Sequence, residues 1–178
     1  MSRPLTRVGL FALALILMAP LSACTQQFRV ETQIAEGLDF SRYQTYRWIT
    51  DDLVLIQPGT GEETIRNIEN EKRIRAAVER ELTARGLRKV EGDDAQLLVA
   101  FTVGTHVRYQ IKGGRTGLDL VTGGPASVTR GVLSLYVFDR AREAQVWSAW
   151  TKKDLEPGTD PDTVIKAAVS ALMTEFPR

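Results

Sequence analysis

The sequence predicts an α+β domain in which a largely antiparallel sheet of about five or six strands has two helices packed on one face. Short segments that alternate apolar and polar residues lie on both sides of one helical segment. A second amphipathic helical segment closes the chain, and no internal repeat interrupts this order. These observations favour a single domain.

Two strands are predicted at the start of the domain. Residues 28–34 alternate apolar and polar side chains, which is typical of a half-buried strand. A turn at residues 39–43 leads into a second strand, residues 45–49, in which Tyr46 and Trp48 share one face.

A helix is predicted over residues 70–85. Thr60 and Glu63 have capping-box spacing and offer an earlier start, whereas Asn70 offers a later cap. Gly86 is expected to end the helix at the C′ position. The inner stripe of the helix is formed by Ile74, Ala77, Val78 and Leu82.

The segment after this helix predicts the centre of the sheet. Residues 96–104 are apolar on both faces, as in a central strand, and residues 107–111 continue that strand or pair with it. Glycine and threonine over residues 113–131 predict a long loop. Residues 132–139 and 144–151 are then expected to form two antiparallel strands joined by a short turn.

The last helix has the clearest signals. Asp160 suits the N-cap and Pro161 suits the first helical turn. A broad apolar face follows, formed by Val164, Ile165, Ala168, Val169, Leu172, Met173 and Phe176.

The first two dozen residues have the pattern of a signal peptide. Arg3 and Arg7 precede an apolar run from Val8 to Leu21, which is too short to span a bilayer. The tetrapeptide Leu21-Ser22-Ala23-Cys24 resembles the lipobox of bacterial lipoproteins. That resemblance implies cleavage before Cys24, which would then carry the lipid. An ordinary secretory signal with a coincidental cysteine is the alternative.

The lipobox resemblance also implies an organisation and a location. Residues 1–23 would be a signal peptide, and residues 24–178 a single periplasmic domain anchored through acylated Cys24. In lipoproteins of this kind an aspartate after the cysteine favours inner-membrane retention, whereas this chain has Thr25. We therefore expect the outer membrane, with the domain facing the periplasm; the inner membrane is the alternative.

Dispersed signatures across the mature chain resemble a bacterial lipoprotein family built on the domain of unknown function 4136. The resemblance implies a periplasm-facing lipoprotein domain and carries over no catalytic or ligand residues. Its signatures, in order, are Asp39-Phe40-Ser41 with Tyr43, Thr45, Tyr46 and Trp48, then Arg85-Gly86-Leu87, Asp94-Ala95, Gly131-Val132-Leu133 running to Asp139, Val146-Trp147 and Phe176-Pro177.

Composition argues against several classes of function. Basic and acidic residues are nearly balanced and interleaved, so we expect no nucleic-acid partner. Cys24 is the only cysteine and His106 the only histidine, which excludes a two-histidine metal site or a Cys/His dyad. No serine lies in a Gly-x-Ser-x-Gly elbow. We expect neither an enzyme nor a cofactor.

A few residues are candidate contacts with a partner. Lys112 and Arg115 flank two glycines but lack the spacing of a phosphate-binding loop, which favours a mobile hairpin loop that orders against a partner. Trp147 and Trp150 are three positions apart, so on a regular strand they point to opposite faces. At least one of them is then free to lie away from the core.

The leading hypothesis is a non-enzymatic outer-membrane lipoprotein that acts as an accessory or scaffold for another envelope component. Its partners would be membrane lipid, through acylated Cys24, and an envelope protein. The alternative is a periplasmic binding module for a small molecule or glycan, which a deep apolar pocket would favour. An enzyme of unrecognised type is the third hypothesis.

Overall fold

The computed structural model describes residues 28–50, 68–110 and 126–177 of the chain. Within these ranges the chain forms strands and helices in an order that matches the predicted α+β class. In chain order they are β1 Arg29–Ile34, β2 Thr45–Trp48, α1 Ile68–Ala84, β3 Arg88–Lys89, β4 Leu97–Gln110, β5 Ala126–Asp139, β6 Ala144–Leu155 and α2 Pro161–Thr174.

The described strands form one six-stranded sheet in the order β1-β6-β5-β4-β2-β3. The pairs β1–β6, β6–β5 and β5–β4 are antiparallel, whereas β2 runs parallel to both β4 and β3. The prediction of a largely antiparallel sheet with two helices is therefore confirmed for this part of the chain.

Both helices cover the same face of the sheet, which we call the inner face. Trp48, Val99, Val137 and Trp147 lie side by side on four neighbouring strands and are buried. They belong to one hydrophobic cluster with side chains from the two helices, namely Ile74, Ala77, Val78 and Leu82 of α1 and Ala168, Val169, Leu172 and Met173 of α2. The predicted inner stripe of the first helix is thus the buried one.

The predicted ends of the helices agree closely with the structure. Helix α1 begins at Ile68, and the alternative start at Thr60 lies outside the described residues. Gly86 follows the helix with a φ of 85°, a conformation that glycine adopts at little cost. Asp160 caps α2, since its carboxylate accepts hydrogen bonds from the backbone N–H groups of Asp162 and Thr163.

Two strand predictions need correction. Strand β5 begins at Ala126 rather than at residue 132, because residues 126–131 pair with the far end of β4 in an unbroken antiparallel register. The predicted loop over residues 113–131 is therefore wrong at its end; residues 111–125 lie outside the described part. Strand β6 also extends past residue 151 to Leu155, and the two-residue strand β3 was not predicted.

Among the described residues no helix combines the length and the apolar character needed to cross a membrane.

Candidate functional site

A cavity of about 370 Å³ lies between the inner face of the sheet and the first turns of both helices. Its walls are largely carbon. The main apolar contributors are Phe28, Val103, Leu133, Leu155, Val164 and Ile165.

The cavity exists because the sheet extends beyond the helices at this end. Strands β5 and β6 continue past Leu133 and Thr151, whereas α2 begins only at Pro161. The turn between β6 and α2 closes one side, where the backbone N–H and the hydroxyl of Thr159 both donate to the carbonyl oxygen of Glu156. The side chains of the sheet at this end therefore face a space that the helices do not fill.

Most polar side chains on the cavity wall already have partners within the protein. The Thr151 hydroxyl donates to the carbonyl oxygen of Arg29 over 2.8 Å. The Asn70 side-chain oxygen accepts a hydrogen bond of 2.7 Å from the Arg73 guanidinium. A ligand would thus meet few free hydrogen-bonding groups on these walls.

Lys153 supplies the positive charge at the cavity. Its side chain is half-buried, and its Nζ atom lies 5.1 Å from the centre of the Phe28 ring. The neighbouring Lys152 points to the opposite face of the sheet, where its Nζ lies 5.2 Å from the centre of the Trp150 ring. The two adjacent lysines of β6 therefore lie on opposite faces of the sheet, Lys153 at the cavity and Lys152 on the other side.

The opposite side of the sheet, which we call the outer face, carries half-exposed apolar side chains. Leu98, Tyr136, Phe138 and Trp150 lie there, and neither described helix covers them. Ile49 follows β2 at the edge of this surface and is 49% exposed. This partly exposed aromatic and aliphatic surface is a candidate contact region.

The structure separates the two tryptophans that were predicted as contact residues. Trp147 is fully buried, its Nε1 donates to the carbonyl oxygen of Glu175, and its ring packs edge-on against Phe176. Trp147 is therefore a core residue, and its assignment as a contact is wrong. Trp150 lies half-exposed on the outer face, so the two tryptophans point to opposite faces as predicted. Its contact role stays a prediction.

The other predicted site residues are not in the described part of the chain. Cys24, Lys112 and Arg115 all lie outside it. Their assignment to lipidation or to partner contact stays a prediction from the sequence.

Tyr43 and Asp139 form a buried hydrogen-bonded pair away from the cavity. Burial, together with the bond to Asp139 and its charge, raises the pKa of Tyr43 to about 12. Burial alone would raise the pKa of Asp139, but the bond from Tyr43 and the backbone N–H groups of Arg142 and Ala141 lower it overall. Asp139 therefore stays ionised and caps the turn that follows β5.

Glu79 is the second polar centre and links α1 to the sheet. Its carboxylate accepts hydrogen bonds from the Trp48 indole at 2.8 Å and from the Lys89 ammonium at 2.7 Å. Burial acts to raise the pKa of Glu79, but these bonds and the nearby positive charges of Lys89 and Arg75 lower it overall. The arrangement orients a core tryptophan.

The described residues contain no group of three or more His, Cys, Asp or Glu side chains arranged to hold a metal ion. His106 is exposed and pairs in register with Arg130 across β4 and β5. Because successive side chains of a strand alternate, His106 lies on the outer face, away from the cavity.

The family model for a domain of unknown function, DUF4136, matches residues 30–178. The chain belongs to the DUF4136 family. The match covers every strand of the sheet and both helices, apart from the first residue of β1. The DUF4136 domain predicted from the dispersed signatures is thereby confirmed, and no curated protein matches this DUF4136 chain.

A solved structure shares the fold of this DUF4136 domain. A PDZ domain protein from Parabacteroides distasonis superposes with a TM-score of 0.52 at 16% identity, over 85% of this chain and 37% of that one. This chain thus spans well under half of that protein, and the likeness shows the fold alone. The PelC dodecamer from Paraburkholderia phytofirmans gives a TM-score of 0.49, and a single-substitution variant of it gives 0.46, both at 12% identity; the matches cover 83% of this chain and 96% and 95% of PelC.

Proposed function

We propose that this protein is a non-enzymatic, membrane-anchored envelope lipoprotein whose domain holds a small apolar molecule between its sheet and its helices. The cavity is the observation that carries this proposal. Its volume of about 370 Å³ falls within the range of roughly 300–1,000 Å³ that small-molecule sites occupy. The proposal thus favours the binding module over the scaffold as the primary role.

The chemistry of the walls supports an apolar occupant rather than a glycan. Burying apolar surface is favourable by about 0.8 kcal/mol for each methylene group, and the carbon walls provide that environment. A glycan needs many hydrogen-bonding partners, whereas Thr151 and Asn70 already use theirs within the protein. His106 lies on the other face of the sheet, so it is not positioned as a base for chemistry in the cavity.

The proposed anchor brings the cavity close to the membrane. Cys24 precedes Phe28 by four residues, and a fully extended chain of that length spans at most about 14 Å. Phe28 itself lines the cavity. In this proposal the lipid on Cys24 holds the protein at the periplasmic side of the outer membrane, within reach of apolar molecules there.

A cavity-filling variant tests the proposed function. The full chain is purified from envelopes as wild type, as Val164→Trp, which fills the cavity, and as Ala167→Trp, an exposed position on the same helix outside the cavity wall. Mass spectrometry of solvent extracts identifies co-purifying small molecules. A compound present with wild type and Ala167→Trp but lost with Val164→Trp is expected. Equal recovery from all three folded proteins would refute the cavity as the site.

The outer face favours a second candidate function, that of an accessory protein docked on an envelope partner. Half-exposed Trp150, Phe138 and Tyr136 are the side chains that would make this contact. Crosslinking in intact envelopes followed by capture of the protein, beside a Cys24→Ala control, tests both anchor and partner. A reproducible envelope protein that is lost from the control would favour this role.

A further inference from the structure

The cavity and its single lysine together indicate a class of ligand, an inference that rests on the proposed function. We propose that the occupant is an amphiphile with an acyl chain and an anionic group. The chain lies between the sheet and the helices, and the anionic group pairs with Lys153.

The acyl chain is indicated by the walls. Aliphatic and aromatic carbon comes from Phe28, which precedes β1, and from β4, β6 and α2 through Val103, Leu155, Val164 and Ile165. Each methylene group buried among such side chains raises affinity roughly four-fold. A chain of several methylenes therefore binds far more strongly than a compact polar molecule of the same volume.

The anionic group is indicated by the charges at the cavity. Lys153 is the one cation among the described residues of the cavity wall, and it forms no ion pair with any described carboxylate. Its ammonium lies over the Phe28 ring. Glu156 lies on the same wall but is exposed and forms no ion pair with Lys153.

This lysine favours an anion that reaches it from inside the cavity. The local dielectric constant between carbon walls is below that of bulk water, so an ion pair formed there is stronger than one at the open surface. The carboxylate of a fatty acid and the phosphate of a phospholipid share this chemistry. Either source satisfies the proposal.

The test uses the full chain in its own membrane. Cells that produce the protein are fed palmitic acid carrying a diazirine group, and ultraviolet light then crosslinks any bound acyl chain to its neighbours. The purified protein is digested, and mass spectrometry locates the adducts and gives their masses. Label on the Cys24 peptide shows that the probe reached the envelope as an acyl group.

Two neighbouring lysines give a matched pair of variants. Lys153→Gln removes the charge at the cavity, whereas Lys152→Gln removes a charge from the outer face of the same strand. We expect adducts on cavity peptides with wild type and Lys152→Gln, roughly ten-fold less adduct with Lys153→Gln, and none with Val164→Trp. The adduct mass distinguishes a free fatty acid from a phospholipid, and both support the proposal.

Three results would overturn the proposal, and they differ in what they leave standing. Equal amounts of cavity adduct with Lys153→Gln and Lys152→Gln would refute the pairing of an anionic group with Lys153. The proposal of an apolar binding site would still stand. A crosslink from the cavity to the Cys24 peptide would make the occupant the protein's own anchor. Absence of cavity adducts on labelled wild type would refute the acyl ligand, and the solvent-extract experiment would then decide independently whether the cavity holds another compound.

Discussion

Tyr43 donates its phenolic hydroxyl to Oδ2 of Asp139 over 2.6 Å, which joins two buried residues that are 96 positions apart. The other carboxylate oxygen of Asp139 accepts the backbone N–H groups of Ala141 and Arg142 at 2.9 and 3.2 Å. One aspartate therefore fixes both the turn between β5 and β6 and the segment that enters β2.

Tyr43→Phe is expected to lower the free energy of unfolding by about 1–2 kcal/mol, because Asp139 loses a buried hydrogen bond while the aromatic packing is kept. Urea unfolding at neutral pH measures this change. Tyr136→Phe, on the outer face, is the matched control and should change stability by less than about 0.5 kcal/mol. Equal effects of the two substitutions would contradict the structural role of the buried pair.

Asp139→Asn is expected to destabilise the protein by about 1–3 kcal/mol at neutral pH, with an effect that depends on pH. The folded-state pKa of Asp139 lies below its ordinary value of 3.8, so its stabilising contribution is present above that value and is lost as pH falls through the folded-state pKa. The difference in the free energy of unfolding between wild type and Asp139→Asn, measured in urea, should therefore shrink below about pH 4. A difference that stays constant from neutral to acid pH would rule out this linkage.

Phe176→Ala is expected to cost about 3–5 kcal/mol, because Phe176 is buried at the end of α2. Its ring packs edge-on against Trp147 at 5.0 Å and against Phe40 at 5.7 Å. Thermal unfolding and the near-ultraviolet circular dichroism of the tryptophans measure the loss. Thr174→Ala, exposed on the same helix, should leave both signals nearly unchanged.

Gly86→Ala is expected to destabilise the protein by about 1–2 kcal/mol through backbone strain alone. Gly86 has a φ of 85°, and an added Cβ would meet no atom within 4 Å. Gly104 is the control because it has the same free space without a positive φ. Gly104→Ala should be neutral or stabilise the strand by roughly 0.5–1 kcal/mol. Denaturant unfolding of both variants separates strain from crowding, and equal changes would argue against strain at Gly86.

Trp150→Ala is expected to remove most of the crosslinked envelope partner if the outer face is a docking surface, since an exposed tryptophan contributes a large share of contact energy. Trp150→Ala should hardly change the amount of small molecule recovered in the solvent extracts, because Trp150 lies on the face of the sheet opposite the cavity. Ser170→Ala, exposed on α2 on the other side of the sheet, is the control. Unchanged partner recovery from Trp150→Ala would remove the second candidate function.

Local signals in the sequence were sufficient for the helices and for most strands. Asp160 and Gly86 mark helix ends through their own chemistry, and both predictions are confirmed. Strand β3 could not be predicted because its two residues, Arg88 and Lys89, are too few to form a periodic pattern. The start of β5 was missed because glycine and threonine there resemble a loop, whereas pairing with β4 fixes the strand.

The cavity could not be predicted because no local pattern encodes it. Its walls come from distant parts of the chain and meet only in the folded domain: Phe28 before β1, Val103 on β4, Lys153 on β6 and Val164 on α2. The burial of Trp147 likewise depends on tertiary packing against Phe176, and a bulge beside Val137 sets which β6 side chains face inward. Alternation alone indicated that the two tryptophans would separate, but not which of them would be buried.

The pairing of β1 with β6 affects how the domain folds as it is made. Thr151 on β6 binds the backbone of Arg29 on β1 across 122 positions, and β6 is the one described neighbour of β1 in the sheet. Export from the N-terminus, as proposed above, delivers β1 before β6, so both edges of the first strand stay unpaired until β6 arrives. Contacts of such long range slow folding, because the loop must close before they form. Until β6 is available, the free edges of β1 can pair with another chain, so shielding this short segment should reduce aggregation during folding.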